Sequence, residues 1–384
     1  MWPSTEASGR LERRRAQPLQ NMPGIVRPPE AATLVRTSMF LRSAVFVICM
    51  AAICIALSGC AKPPAHLAPN RALYWPKPPE TKRIRFVGTV SEPADLNIQT
   101  GAFGRLFRYL VGTPKAAIVS PYGVAADSSG RLYVVDRFLN RVHVFDPSEN
   151  AYSYFPEDPG VLKAPVDIAL DAGDRIYVTD ARQAVVKVFA EAGKKLVTEI
   201  GVDLFKRPTG IAVNRHTEEL VVVDTLVSRV FRFDLSNFSQ KGAFGGNGSA
   251  DGQFHYPTNI CVTPEGRLVV ADSLNFRVQV FAPDGRFLHK FGRMGHSAGS
   301  FSRPKGVAAD SDGNIYVVDA LFDNVQIFDP KGRLLMAFGN HGTGAGEFWL
   351  PTGMYIDAND RIYVSDASNS RIQVFEYLKR DDEE

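Results

Sequence analysis

The sequence has few cysteines and lacks several of the short motifs that mark common catalytic sites. Of its four cysteines in 384 residues, Cys49 and Cys54 lie in an apolar N-terminal run, Cys60 directly follows that run, and only Cys261 lies further along. With a single cysteine beyond the N-terminal region, the fold does not depend on a framework of disulfides. There is no His-Glu-x-x-His and no Cys-x-x-Cys, so the sequence gives no sign of a zinc protease or a dithiol enzyme.

A strong excess of charge of one sign is also missing. The formal net charge is +3, but it arises before Cys60, where seven Lys and Arg face three Asp and Glu. The remaining chain carries 37 basic against 38 acidic residues. Nothing in this balance favours nucleic acid as a partner.

What the sequence does contain is a repeat of 43 to 49 residues in six copies. Each copy opens with a proline and later closes an apolar run with an aspartate. The prolines are Pro121, Pro165, Pro208, Pro257, Pro304 and Pro351, and the aspartates are Asp136, Asp180, Asp224, Asp272, Asp319 and Asp366. Short runs of Val, Ile, Tyr and Phe between Gly, Asp, Asn and Pro predict strands and turns.

Four short strands per copy predict an all-β protein, a six-bladed β-propeller. The sixth copy, however, ends after its third strand, in RIQVFEYL. Because an open ring would leave a sheet edge unpaired, another segment must complete this blade. We expect the N-terminal segment 83–90, RIRFVGTV, to supply the missing strand and close the ring.

The repeat resembles the NHL repeat. The residues that carry the resemblance are Pro-x-Gly, then Tyr-Val-x-Asp, then Arg-Ile-Gln-Val-Phe, seen most clearly in PTGMYIDANDRIYVSDASNSRIQVF of the sixth copy. The resemblance covers roughly residues 83–378 and implies an NHL-type propeller there. Copy 2 departs from it, with Asp167 in place of the glycine and Val185 in place of the arginine.

The N-terminal segment predicts export. The uncharged run from Ser43 to Leu57 follows Arg42 and ends in Leu-Ser-Gly-Cys, as a signal peptide does. This ending resembles a bacterial lipobox, which implies lipidation of Cys60, and Ala61 resembles the sorting residue of outer-membrane lipoproteins. The alternative is an uncleaved membrane-spanning helix, for which the run is short.

These signals divide the chain into five segments. We expect 1–38 to be an over-extended N-terminus before Met39, 39–59 a lipoprotein signal peptide and 60–82 a proline-rich tether. The propeller would span 83–378, and 379–384 would be a charged tail. Within the propeller, about 95–114 has helical periodicity, which predicts a short amphipathic helix that packs on the propeller or covers the channel.

Two polar residues are candidates for a channel site. Where four copies have glycine after Pro-x, copies 2 and 4 have Asp167 and Asn259. Carboxylate and amide oxygens near a propeller axis are ligand types for Ca²⁺, as in lactonase-like and strictosidine-synthase-like propellers. Two ligands are too few for a calcium site, which favours the alternative that these residues are the polar lining of a wet channel.

Apolar residues recur in the loop that follows Tyr-Val-x-Asp. They are Phe138, Leu139, Leu226, Val227, Leu274, Leu321 and Phe322. Equivalent loops lie on one face of a propeller, and recurring apolar residues there suggest a binding surface for a partner. In the alternative interpretation, each side chain folds onto a neighbouring blade.

Two functions follow from these features. The first is a membrane-anchored propeller, exported and facing the periplasm, that binds an envelope protein or a small ligand through its loops. The second is a metal-dependent enzyme of the lyase or lactone-hydrolase type that uses an ion in the channel. The missing set of convergent histidines or carboxylates favours the first.

Overall fold

The computed structural model describes residues 73–77, 79–98 and 118–379. The predicted six-bladed β-propeller is confirmed: the described residues form six antiparallel sheets, five with four strands and one with five. We number the blades 1 to 6 by the prolines that open the repeats. In each blade the strand that begins at this proline is the inner strand, beside the channel.

The strands of the first five blades follow one another along the chain. Blades 1 and 2 comprise Pro121–Ala126, Leu132–Asp136, Arg141–Asp146 and Ala151–Phe155, then Pro165–Leu170, Ile176–Asp180, Val185–Ala190 and Lys195–Ile200. Blade 3 comprises Pro208–Asn214, Glu219–Asp224, Arg229–Asp234 and Gln240–Gly245. Blades 4 and 5 comprise Pro257–Val262, Leu268–Asp272, Arg277–Phe281 and Phe287–Phe291, then Pro304–Ala309, Ile315–Asp319, Asn324–Phe328 and Leu334–Phe338.

Blade 6 is completed from the N-terminal side, as predicted. The repeat itself supplies three strands, Pro351–Ile356, Arg361–Asp366 and Arg371–Tyr377. The strand Ile84–Val90 pairs with the last of these as the fourth strand of the blade. Ile84 pairs with Tyr377 and Val90 with Ile372, with a bulge between Phe86 and Gly88. Pairing the two ends of the repeat region in one sheet closes the ring and removes its open edge.

A fifth strand in blade 6 was not predicted. Tyr74–Trp75, within the segment expected to be a tether, pairs with Ile84–Val90. The indole of Trp75 packs against the rings of Phe338 and Phe375 at centroid distances of 5.7 and 5.9 Å. The residues just before the ring-closing strand therefore belong to the folded body.

Apolar side chains fill the spaces between blades. Residues such as Tyr133, Tyr177 and Tyr316 are fully buried, and successive clusters each combine residues of two neighbouring blades. The alternation of apolar residues along short strands produces two apolar faces per blade, because successive side chains point to opposite sides of a sheet.

Side-chain hydroxyls link neighbouring blades around the channel. Thr225 Oγ1 of blade 3 donates to the Pro257 carbonyl of blade 4 at 2.7 Å, and Thr258 Oγ1 donates to the Lys305 carbonyl of blade 5 at 3.0 Å. Thr352 Oγ1 of blade 6 donates to the Pro121 carbonyl of blade 1 at 3.2 Å. These bonds satisfy polar groups at inner edges that have no further strand to pair with.

In the described part of the chain, the helices are short 3-10 turns. They are Pro93–Leu96, Glu191–Gly193, Ser273–Asn275 and Ala367–Asn369. The predicted amphipathic helix at about 95–114 overlaps the first turn, but residues 99–117 lie outside the described residues.

Candidate functional site

The loops after each second strand lie on one face of the propeller, together with the linkers between blades. This arrangement follows from the antiparallel order of each sheet, in which alternate connections lie at the same end. We call it the loop face. The connections between the first and second strands lie on the opposite face.

The aspartate that ends each second strand holds these loops in place. Asp136 is fully buried; its Oδ2 accepts the Val119 amide at 2.7 Å, and its Oδ1 accepts the amides of Phe138 and Leu139, both at 3.0 Å. Asp319 accepts the amides of Leu321 and Phe322 in the same way, at 3.1 and 3.2 Å. A buried carboxylate with several amide donors fixes the backbone around it.

The seven apolar loop residues divide into two groups. Phe138, Leu226 and Leu321 are 72%, 51% and 54% exposed. The half-buried group is Leu139, Val227, Leu274 and Phe322. Within it, Val227 packs against the core between blades 2 and 3, and the ring of Phe322 lies 5.9 Å from the imidazole of His296. Both interpretations thus describe part of the set, and the exposed side chains are those available to a partner.

The linkers add further apolar side chains to the loop face. Met294 is 73% exposed, and Tyr256, Trp349 and Leu350 are exposed as well. Because these residues come from three different linkers, apolar groups are spread around the face of the disc. Isolated apolar residues are normal on protein surfaces, but several on one face indicate an interaction surface.

Asp167 and Asn259 meet at the channel, although they are 92 residues apart in the sequence and belong to blades 2 and 4. Asn259 Nδ2 donates to Asp167 Oδ2 at 2.7 Å, and this oxygen also accepts the Ile211 amide of blade 3 at 3.2 Å. Asn259 Oδ1 accepts the Val307 amide of blade 5 at 3.0 Å. The pair therefore links four blades across the axis.

The glycines at the same level show how narrow the channel is there. A Cβ atom added to Gly210 would lie 2.5 Å from the Cα atom of Asn259, and one added to Gly353 would lie 2.1 Å from the Tyr122 carbonyl oxygen. These positions need glycine because inner strands of neighbouring blades approach too closely for a side chain. Asp167 and Asn259 fill the space that remains at this constriction.

Burial of this pair changes its ionisation. Removal from water raises the pKa of Asp167 to about 7, while hydrogen bonds from the amides of Ile168 and Ile211 and from Asn259 oppose the rise. Each carboxylate oxygen already accepts an N–H, and so does the amide oxygen of Asn259. The residues present therefore fit a self-contained hydrogen-bond network better than a calcium site, which needs six to eight oxygen ligands.

In the described residues there is no group of three or more His, Cys, Asp or Glu side chains arranged to hold a metal ion. The metal-dependent enzyme thus gains no support from geometry. The Asp167–Asn259 pair also closes the inner end of a cavity of about 800 Å³ that opens on the opposite face, where Arg215, His216 and Tyr355 line its walls.

One motif was missed in the sequence. Gly295-His296-Ser297-Ala298-Gly299 matches the Gly-x-Ser-x-Gly spacing of a nucleophile elbow. In an elbow, the serine lies between a strand and a helix, and a histidine activates it. Here the segment is a linker between two strands, and Ser297 Oγ contacts Ser300 Oγ at 3.0 Å. The geometry is that of a turn.

The lipidation candidate Cys60 lies outside the described residues, as do the expected N-terminal extension, the signal peptide, most of the tether and residues 380–384 of the tail. Among the residues that are described, no helix has the length and apolar character needed to cross a membrane.

Two family models match parts of the chain. A model described as a 6-bladed beta-propeller matches residues 309–379, and the NHL repeat model matches residues 254–281. The second match covers the end of the linker before blade 4 and the first three strands of that blade. This protein is a six-bladed β-propeller that contains an NHL repeat.

Curated relatives share short parts of this NHL propeller. The E3 ubiquitin-protein ligase TRIM71 of Xenopus tropicalis is 50% identical over 48 residues, 12% of this chain and 6% of the relative. The E3 ubiquitin-protein ligase NHLRC1 of Rattus norvegicus is 32% identical over 136 residues, 34% of each chain. The chain thus spans about a third of one relative and much less of the other.

Solved structures share the propeller fold. An auxiliary nutrient binding protein from Bacteroides thetaiotaomicron superposes with a TM-score of 0.55 at 16% identity, over 69% of this chain and 71% of that one. Streptogramin B lyase superposes with a TM-score of 0.52 at 12% identity, over 68% of this chain and 94% of the lyase. At such identities the likeness concerns the fold alone.

Proposed function

We propose that this NHL propeller is a lipid-anchored protein of the cell envelope that binds another protein through its loop face. The observation that carries the proposal is the exposure of Phe138, Leu226 and Leu321 at equivalent positions of blades 1, 3 and 5. The buried aspartates hold these loops rigidly, so little conformational entropy is lost when a partner docks.

The charge of the loop face indicates the chemistry of the partner. Exposed basic residues accompany the apolar ones and form no ion pair with a described carboxylate; they are Arg137, Lys163, Arg182, Lys206, Arg207, Arg229, Arg293 and Arg303. Exposed acidic residues on the same face are fewer, with Asp158, Asp203 and Asp251 as examples. The complementary surface is apolar with acidic groups around it.

The proposed location follows from the N-terminal sequence. Lipidation at Cys60 would hold the propeller at a membrane, and the proline-rich segment after it would act as a semi-rigid spacer. Ala61 favours the outer membrane, with the propeller facing the periplasm. The partner is then another envelope protein.

Substitution of the exposed loop residues tests the docking surface. We expect a variant with Phe138→Ser, Leu226→Ser and Leu321→Ser to lose partner capture, with a free energy of unfolding within about 1.5 kcal/mol of wild type, since exposed sites contribute little to stability. A destabilisation of several kcal/mol would instead mean that the side chains cover the blades.

A matched control is available on the outer strands. Leu335 is 55% exposed, much like Leu321, but lies in the fourth strand of blade 5 and away from the loop face. Leu335→Ser should leave capture unchanged. If it reduced capture as much as the triple variant does, the effect would reflect general surface hydrophobicity and the proposal would fail.

A further inference from the structure

Basic side chains converge at the mouth of the channel on the loop face. Arg137 of blade 1 places its guanidinium carbon 5.0 Å from the centre of the Tyr122 ring, and Lys305 of blade 5 places its Nζ 5.5 Å from the same centre. Blades 5 and 1 are separated by blade 6 in the ring, so the contact between Lys305 and Tyr122 spans the channel. Because both contacts are made to the same ring, the two charges lie within about 10 Å of each other, which is roughly one Debye length.

These cations form no ion pair within the described structure. Neither Arg137 nor Lys305 forms an ion pair with a described carboxylate, and Arg303 and Arg207 add further positive charge nearby. Asp136, which directly precedes Arg137, and Asp319 of blade 5 accept backbone amides of the loops and linkers. By contrast, the buried cation Lys187 is paired with Glu199.

The crowding of like charges affects Lys305 directly. Partial burial, with repulsion from Arg137 and Arg303, lowers the pKa of Lys305 to about 8. Repulsion between these like charges raises the free energy of the folded protein. An anion bound between them would offset this repulsion.

At the same end of blade 4 lies a buried hydroxyl without a partner in the described structure. Ser273 follows the aspartate of blade 4 as Arg137 follows that of blade 1, and it is 2% exposed. Its Oγ has no hydrogen-bond partner among the described residues. The equivalent hydroxyl of Thr225 in blade 3, by contrast, donates to the Pro257 carbonyl of the next inner strand.

We propose that this mouth is a binding site for a small organic anion, whose carboxylate or phosphate group lies between Arg137 and Lys305. The Asp167–Asn259 constriction lies beside the Tyr122–Gly123 segment, since a Cβ atom added to Gly123 would lie 2.6 Å from the Cα atom of Asp167. Tyr122 holds both cations by cation–π contacts and so fixes their spacing in the free protein. The site goes beyond partner docking, because it needs only the propeller itself.

We test the site by calorimetric titration of the purified propeller at constant chloride concentration. The two probes, used separately, are citrate and inorganic phosphate. We expect saturable one-to-one binding of at least one probe, and the stronger probe identifies carboxylate or phosphate as the preferred group. Lys305→Met, which keeps the length of the side chain, should weaken binding at least tenfold.

Two further variants keep the test decisive. Arg137→Gln alters an exposed residue, so it should fold even if Lys305→Met does not, and it should also weaken binding about tenfold. Lys331→Met removes an exposed charge from a hairpin turn of blade 5 and should leave binding unchanged. Absence of saturable binding with both probes, or an equal loss in Lys331→Met, would overturn the proposal.

Discussion

At the scale of single residues, Asp167 places an ionisable group where four of the six blades have glycine. Its carboxylate accepts three N–H groups, from Ile168, Ile211 and Asn259, yet burial outweighs these bonds and raises its pKa to about 7. The side chain thus joins blades 2, 3 and 4 at the price of a buried charge whenever it ionises.

We expect Asp167 to reduce stability as the pH rises. Below its ordinary pKa of 3.8 the carboxyl is protonated in the folded and the unfolded protein. Between pH 3.8 and about 7 the folded state binds more protons than the unfolded state, so the free energy of unfolding falls as the pH rises. Above this range the free energy of unfolding is lower by about 4 kcal/mol than in acid. Denaturant unfolding of wild type and Asp167→Asn from pH 4 to 8 measures the difference, which should grow in favour of the variant.

Asp127 provides a control of opposite sign. Hydrogen bonds from Ser129, Arg131 and Tyr133 outweigh desolvation and lower its pKa. Its contribution to stability is present above its ordinary pKa and is lost in acid, so Asp127→Asn should be destabilising at pH 7 and less so as the pH falls. A difference between wild type and Asp167→Asn that stays constant over the whole range would contradict the account of the channel pair.

At the scale of elements, blade 6 is the point where the chain closes on itself. Ile84–Val90 completes the sheet, and Tyr74–Trp75 adds a further strand outside it. The Arg83 amide donates to the Trp75 carbonyl at 2.7 Å, and the Phe86 amide to the Leu73 carbonyl at 2.9 Å. The outer strand therefore protects the edge of the ring-closing strand.

Trp75 anchors this outer strand, and its loss should loosen the closure. We expect Trp75→Ala to reduce the free energy of unfolding by about 2 kcal/mol, because the indole is half-buried against Phe338 and Phe375. Thermal unfolding measures the change. Trp349→Ala, at an exposed indole on the loop face, is the matched control and should have little effect. Equal melting temperatures for Trp75→Ala and wild type would show that the outer strand contributes nothing.

The sequence predicted the blades and their closure because each blade is a local pattern of apolar residues and turns. It did not predict the strand Tyr74–Trp75, since two residues followed closely by Pro76, Pro78 and Pro79 have the composition of a tether. The basic cluster escaped prediction for a different reason: Lys305 approaches Tyr122 across the channel, and this distance is not encoded in the repeat spacing. The sequence did contain one signal of this cluster. Lys305 and Arg137 are long basic residues at repeat positions where most other copies have threonine or a small residue.

At the scale of the whole molecule, we propose a lipid anchor at the N-terminus and a partner-binding face on the propeller. Cys60 lies outside the described residues, so its lipidation stays a prediction from the sequence. We expect Cys60→Ala to abolish metabolic labelling with fatty acid and to release the protein from the membrane fraction. Cys261→Ala is the control, since that cysteine packs in the propeller and labelling should persist. Fatty-acid labelling that survives Cys60→Ala would contradict the anchor.

The central claim is that the loop face docks a protein partner, and site-specific photocrosslinking in cells of the native host tests it most directly. A photoreactive residue would replace Phe138 or Leu321 on the loop face, or Ser129 or Asn359 on the opposite face, all of which are exposed. The account predicts one discrete crosslinked product of the same partner from both loop-face positions and none from the opposite face. Crosslinks to that partner from Ser129 and Asn359, with none from Phe138 and Leu321, would contradict it.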